Sequence, residues 1–211
     1  MYEVEIKVAA DLDAVRKRLR DAGAERVDAR RQRDVYYDAP HRDFAETDEA
    51  LRVRHETELA AGIDSVDVND ATGSESIETA ATESIETAAT AKLTYKGPLL
   101  DGASKTRAEH ETAVADAEAV SGVFEGLGFD PAATVEKRRE FWSYDGFTVT
   151  LDAVDDLGEF VEIERGVDDE AAIGATRDEA LEALEALGLD GSAQIRTSYL
   201  GLLLADREDE R

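Results

Sequence analysis

The 211-residue sequence predicts an α+β domain in which eight antiparallel strands close into a barrel with helices flanking it. Two observations carry that expectation. Eight segments alternate apolar and polar residues with a period of two, as a strand does when its two faces meet different surroundings. Only four segments show helical spacing, and eight strands with so few helices between them suggest closure of one antiparallel sheet.

Taken in order, Tyr2–Val8 is the first strand, with Val4 and Ile6 on one side and Glu3, Glu5 and Lys7 on the other. A helix follows, in which Leu12, Val15, Leu19 and Ala22 share a face. Asp11 is placed to cap its start, and Gly23 sits where a left-handed terminator belongs. Arg33–Asp38 and Ala50–Arg54 are the next strands, the latter setting Arg52 and Arg54 opposite Leu51 and Val53. Lys92–Lys96 pairs with it as a hairpin across a long connection, and places Lys96 opposite Tyr95. That connection contains ESIETAAT twice in tandem, at Glu75–Thr82 and Glu83–Thr90. With Ile77 and Ile85 as the repeat's sizeable apolar groups, it cannot bury enough surface to form a solenoid. Residues 57–91 are therefore expected as a low-complexity loop inserted in a single domain spanning 1–211.

Arg107–Thr112 is the fifth strand, grouping Arg107, Glu109 and Glu111. The spacing then predicts a helix from about Asp116 to Leu127 with Val120, Phe124 and Leu127 inward. Three strands complete the set: Val135–Phe141 carries Lys137 and Arg139 on one face, Gly146–Asp152 sets Asp152 opposite Leu151, and Glu159–Glu164 sets Glu162 and Glu164 opposite Val161 and Ile163. Thr176-Arg177-Asp178-Glu179 reads as a capping box opening a helix with Leu181, Leu184 and Leu187 before Gly188. An amphipathic piece near Ser198–Ala205 comes last, with Tyr199, Leu202 and Leu203.

Composition narrows the chemistry. The absence of cysteine excludes disulfides, thiolate metal sites and Cys nucleophiles. No run approaches the roughly 18 apolar residues of a membrane span, so a cytoplasmic protein with no membrane partner is expected. Fifty acidic against 24 basic residues give a net charge of -26, which disfavours nucleic-acid binding. So dense a carboxylate surface, poor in Lys, suits a halophilic protein kept soluble in concentrated salt. There is no GxxxxGK[ST] loop. His41, His55 and His110 are isolated and read as surface or structural groups, and Trp142 and Tyr144 read as packing residues with base contact as the alternative.

Taken one at a time, the charged strand faces are equally the solvent sides of a half-buried sheet. Together they hold seven cations (Lys7, Arg52, Arg54, Lys96, Arg107, Lys137, Arg139) and seven anions (Glu3, Glu5, Glu109, Glu111, Asp152, Glu162, Glu164). The rest of the chain thus carries the whole negative balance. A surface selected for acidity would not leave one face so rich in bases, whereas an interior that holds an anion together with metal cations needs both signs.

These residues resemble the CYTH superfamily, the triphosphate tunnel metalloenzymes. Glu3-Val4-Glu5-Ile6-Lys7 matches its ExExK signature. Asp34–Asp38, Ala50–Arg54, Leu93–Pro98, Lys137–Arg139, and Leu151-Asp152 through Phe160–Glu164 follow in the family's order, and Arg42–Ala45 with Thr47–Ala50 is most similar to the class IV adenylyl cyclase-like branch. The resemblance implies a barrel lumen that binds a small-molecule triphosphate with Mg²⁺ or Mn²⁺. It implies metal ligation by Glu3, Glu5, Asp152, Glu162 and Glu164, with Glu109 and Glu111 as additional candidates. Arg52, Arg54 and Arg139 would grip phosphates as forks, and Lys7, Lys96 and Lys137 as point charges, with Arg107 joining them. Lys7, Lys96 and Arg139 are the expected catalytic cations. Three functions fit: cyclisation of ATP to cyclic AMP and pyrophosphate, hydrolysis of thiamine triphosphate, inorganic triphosphate or a nucleotide, and non-catalytic sensing of nucleotide or polyphosphate. A homodimer is compatible with the sequence.

Overall fold

The computed structural model describes residues 2–59, 90–100 and 106–209; most of the expected insertion, with the tandem repeat up to Ala89, lies outside them, while Thr57 and Glu58 belong to a strand, as do Thr90 and Ala91, so the expected loop bounds of 57 and 91 fall inside strands. Eight strands form a closed antiparallel barrel: β1 (Tyr2–Ala9), β2 (Glu25–Asp38), β3 (Ala50–Glu58), β4 (Thr90–Leu99), β5 (Arg107–Val114), β6 (Asp130–Tyr144), β7 (Phe147–Val154) and β8 (Gly158–Val167). Around the barrel they run β1, β5, β4, β3, β2, β6, β7, β8 and back to β1. Four longer helices, α1 (Leu12–Asp21), α3 (Ala117–Gly126), α4 (Ile173–Ala186) and α5 (Tyr199–Asp209), and one single-turn helix, α2 (Phe44–Thr47), lie outside it. Among the described residues no helix is long and apolar enough to cross a membrane.

The hydrophobic core lies outside the sheet. Ile6, Val8, Val149, Leu151, Val161 and Ile163 from the outer faces of β1, β7 and β8 pack against Leu12, Val15 and Leu19 of α1. Ala180, Ala183 and Leu184 of α4, with Leu187 just beyond it, complete the cluster. Burying each large aliphatic side chain contributes about 1.5–3 kcal/mol, so this packing supplies the main driving force while leaving the inner face free for charge. A second cluster joins Tyr36, Val135, Val154 and Phe160 to Tyr199 and Leu203, and a third joins Tyr37, Phe44, Leu51 and Val53 to the partly buried Val120 and Phe124 of α3.

Several expectations hold residue by residue. Asp11 accepts from Ala14 N to cap α1, and Gly23 adopts φ 76° past its end. Others need correction. β2 begins at Glu25 and not Arg33, and β6 spans Asp130–Tyr144, because the two strands pair along nearly their whole length. Gly146 belongs to a turn and not to β7: Asp145 and Gly146 both take positive φ (48° and 74°), joining Tyr144 to Phe147 in a tight hairpin. The Thr176–Glu179 capping box is not a helix start either. α4 already runs from Ile173, Thr176 is buried, and Asp169 caps the preceding 3-10 turn by accepting from Ala171 N. Leu127 is 65% exposed because α3 ends at Gly126 and the chain reverses at Gly128 (φ 85°).

Candidate active site

The period-two alternation that buries Val4, Ile6, Val161 and Ile163 outward turns Glu3, Glu5, Glu162 and Glu164 inward. The same geometry brings in Arg52 and Arg54 from β3, Lys96 from β4, Arg107, Glu109 and Glu111 from β5, and Lys137 and Arg139 from β6. They line a cavity of about 310 Å³ inside the barrel. Of the fourteen residues marked in the sequence, Lys7 and Asp152 stand behind this wall. Lys7 is 1% exposed and donates to the Thr197 carbonyl at 2.6 Å, with its Nζ 4.1 Å from the centre of the Tyr199 ring. Asp152 is fully buried and accepts from Lys137 (3.3 Å), the Arg139 Nε (2.6 Å) and the Tyr199 hydroxyl (2.9 Å).

The carboxylates divide into two kinds. Glu3, Glu5 and Glu164 each present an oxygen within 4.8 Å of the other two. Burial, and then the proximity of Glu3, push the Glu164 carboxyl up to about 8. Three converging acids that cannot all ionise favourably form a hard-oxygen site suited to a divalent cation, whose charge would reverse that penalty. The others already face cations. Glu162 is bound by Arg139, Glu109 by Lys96 at 2.7 Å, and Glu111 by Lys92 at 2.9 Å. Lys96 also reaches Glu3 at 3.0 Å, and despite burial these acids hold its ammonium well above its ordinary value.

The cationic side is held by groups the strand reading missed. Asp34 is 1% exposed and accepts from Arg54 Nε at 2.6 Å and Nη2 at 2.7 Å, and from Arg52 at 3.3 Å. Burial alone would raise its pKa, yet the Arg54 and Arg52 charges keep it well below the carboxylate range. Among the described residues Arg52 Nε and Arg107 Nε are buried donors with no acceptor, as expected of guanidiniums that receive an anion. Burial, and then Arg139, push the Lys137 ammonium down to about 8. Arg30, Gln32 and Tyr36 from β2, Glu56 and Lys92 from β3 and β4, Asp48 and Glu49 after α2, and Ser198 and Tyr199 at the start of α5 also line the cavity. The even positions 30, 32, 34 and 36 were the available signal, hidden by the charged residues on both faces of β2.

Trp142 is buried in the main core, which assigns it to packing. His41 and His110 are exposed, His41 edge-on to Phe129 and His110 stacked on Tyr95, while His55 is partly buried.

The CYTH domain family model matches residues 1–199. A Methanocaldococcus jannaschii protein bearing the name "Putative adenylate cyclase" is 33% identical over 203 residues, covering 96% of this chain and 98% of that one. The solved structure of a Pyrococcus horikoshii protein is 33% identical with a TM-score of 0.79, over 97% of this chain and 99% of that one. A Hippeastrum structure, described as a "Putative adenylyl cyclase" that reveals a dominant triphosphatase activity, shares the fold at 14% identity and a TM-score of 0.58. It covers 97% of this chain and 95% of its own.

Proposed function

The chain belongs to the CYTH domain family, and on that footing we propose that it is a metal-dependent enzyme acting on a triphosphate, most simply as a class IV adenylyl cyclase converting ATP to cyclic AMP and pyrophosphate. The observation that carries this reading is the meeting, inside one closed barrel, of the Glu3, Glu5 and Glu164 oxygens with a wall of fixed guanidiniums that retains unused donors.

Glu3, Glu5 and Glu164 would hold Mg²⁺ or Mn²⁺, which when bound neutralises phosphate oxygens and polarises the reacting phosphorus. The chain's own groups do the rest. Arg54, locked on Asp34, and Arg52, with its free Nε, grip phosphate oxygens without reorganising. Arg139 and Lys137 face them from β6, and a bound polyanion restores the full charge of Lys137. Lys96, fixed between Glu3 and Glu109, adds a point charge beside the carboxylate cluster. Lys7 acts from behind by tying down the Thr197–Tyr199 segment. The barrel wall shields Arg54, Lys137 and Arg139 from bulk water, which strengthens their interactions. In the cyclase the ribose 3′-hydroxyl attacks the α-phosphorus and pyrophosphate leaves.

Hydrolysis at the terminal phosphorus is the second reading, favoured by the activity described for the Hippeastrum neighbour. It uses the same lumen with the substrate in a different register. Incubation with ATP, thiamine triphosphate and tripolyphosphate, with Mg²⁺ or Mn²⁺ at high salt, separates the readings. Cyclic AMP with pyrophosphate supports cyclisation, and orthophosphate supports hydrolysis. Tight binding without turnover would overturn both in favour of a sensor.

A further inference from the structure

Phe141 is out of place in this lumen. It follows Lys137 and Arg139 on the inward face of β6, and among the described residues it and Ala50 are the lining positions without a polar side chain. It is only partly buried and belongs to none of the three hydrophobic clusters. The Arg30 guanidinium lies 5.5 Å from its ring centre and that of Arg139 lies 5.9 Å away.

Its position along the barrel is informative. The side chains of Asp34, Lys137 and Arg54 are 1%, 3% and 6% exposed, whereas Arg30 is 28% exposed and Lys92 32%. Strand register sets Arg30 and Phe141 towards one end of the lumen and Tyr36 and Ala50 towards the other, and the partial exposure of Arg30 and Lys92 opens the first end to solvent. Arg30 pairs with Arg139 in the β2–β6 register, so a group carried by a triphosphate held on Arg54 and Arg139 has the Phe141 ring within reach. Arg30 is already fixed there, donating to Asp28 at 2.5 Å and to Glu56 at 2.7 Å. A ring and a guanidinium plane held in this way form a surface that loses little freedom when a ligand stacks on it.

We propose that Phe141 and Arg30 form a stacking platform at the mouth that selects triphosphates carrying a planar aromatic group over inorganic triphosphate. This deepens the functional reading above and rests on it. Base stacking on an aromatic side chain contributes enough that its loss weakens binding by about tenfold or more.

The test is calorimetric titration of ATP and tripolyphosphate analogues with non-cleavable bridges, each with Mn²⁺ at high salt. Phe141→Leu retains apolar bulk beside Arg139 and removes the π face, while Phe141→Trp keeps that face. The expected result is a loss of about tenfold for the ATP analogue in Phe141→Leu, less than about twofold change for the tripolyphosphate analogue, and near-native binding of both by Phe141→Trp. Equal weakening of both ligands would overturn the proposal by making Phe141 a buttress for Arg139, and so would no change in either. Failure of the native protein to bind either ligand would sink the functional reading itself.

Discussion

Replacing Glu164 with Gln should stabilise the metal-free protein while weakening its hold on metal, two effects of opposite sign from one substitution. Burial and Glu3 raise this carboxyl from its ordinary 4.5 to about 8. At about pH 7 the unfolded chain ionises it and the fold keeps it mostly protonated. At about 1.4 kcal/mol per pH unit above 4.5, the native protein is destabilised on the order of 3 kcal/mol. Gln removes that term, and for a chain of this size the melting temperature in EDTA should rise by roughly 6–12 °C. Since the folded pKa lies above the unfolded one, native stability is lost as pH rises. The gap between variant and native protein should vanish near pH 4.5 and widen up to about pH 8. Circular dichroism melts in EDTA across that range supply the first reading, and melts with added Mn²⁺ the second, where the native protein should gain more than the variant. A variant less stable than the native protein in EDTA would mean that the Glu164 carboxyl carries no burial penalty, and one that Mn²⁺ stabilises equally would mean that Glu164 does not hold metal.

Further outcomes follow from the same geometry. Asp34→Asn leaves Arg54 and Arg52 without their buried counter-charge and should cost about 3–5 kcal/mol in denaturant unfolding; a loss under about 1 kcal/mol means other groups carry the load. Glu5→Gln should lower turnover at least about tenfold with partial rescue by excess metal, and Arg54→Ala should mainly raise KM. Deleting Glu75–Thr90 should leave catalysis nearly unchanged, and severe inactivation would mean the insertion takes part in it. With a net charge of -26, dilution from molar salt should lower the melting temperature, whereas undiminished stability in low salt would remove the halophile reading.

The fold was legible because its strands separate apolar from charged residues so cleanly. Val4 and Ile6 against Glu3 and Glu5, or Val161 and Ile163 against Glu162 and Glu164, determine both faces of β1 and β8 without reference to any neighbour. Positions 25–33 of β2 gave no such signal. Arg30 and Gln32 line the cavity while Arg31 and Arg33 point outward to Glu136, so polar residues occupy both faces and the alternation is lost. Asp34 lies on a strand and in a motif that the sequence does mark, but its role as anchor of the cationic wall depends on Arg52 and Arg54 of the neighbouring strand, which strand period does not report. The division of labour among the carboxylates was also illegible, because strand period reports a face and not a partner. Asp152 is inside the charged network yet wholly engaged by Arg139, Lys137 and Tyr199, while Glu3, Glu5 and Glu164 converge with one another. Tyr199 reaches Asp152 from the C-terminal helix, a contact between distant segments that no local pattern encodes.

Anomalous diffraction from crystals grown with Mn²⁺ and a non-cleavable triphosphate would locate metal and phosphates relative to the barrel directly. The expected result is a metal peak bounded by Glu3, Glu5 and Glu164, with phosphates against Arg52, Arg54 and Arg139. Metal and phosphates bound on the outer surface, with the lumen holding neither, would contradict it.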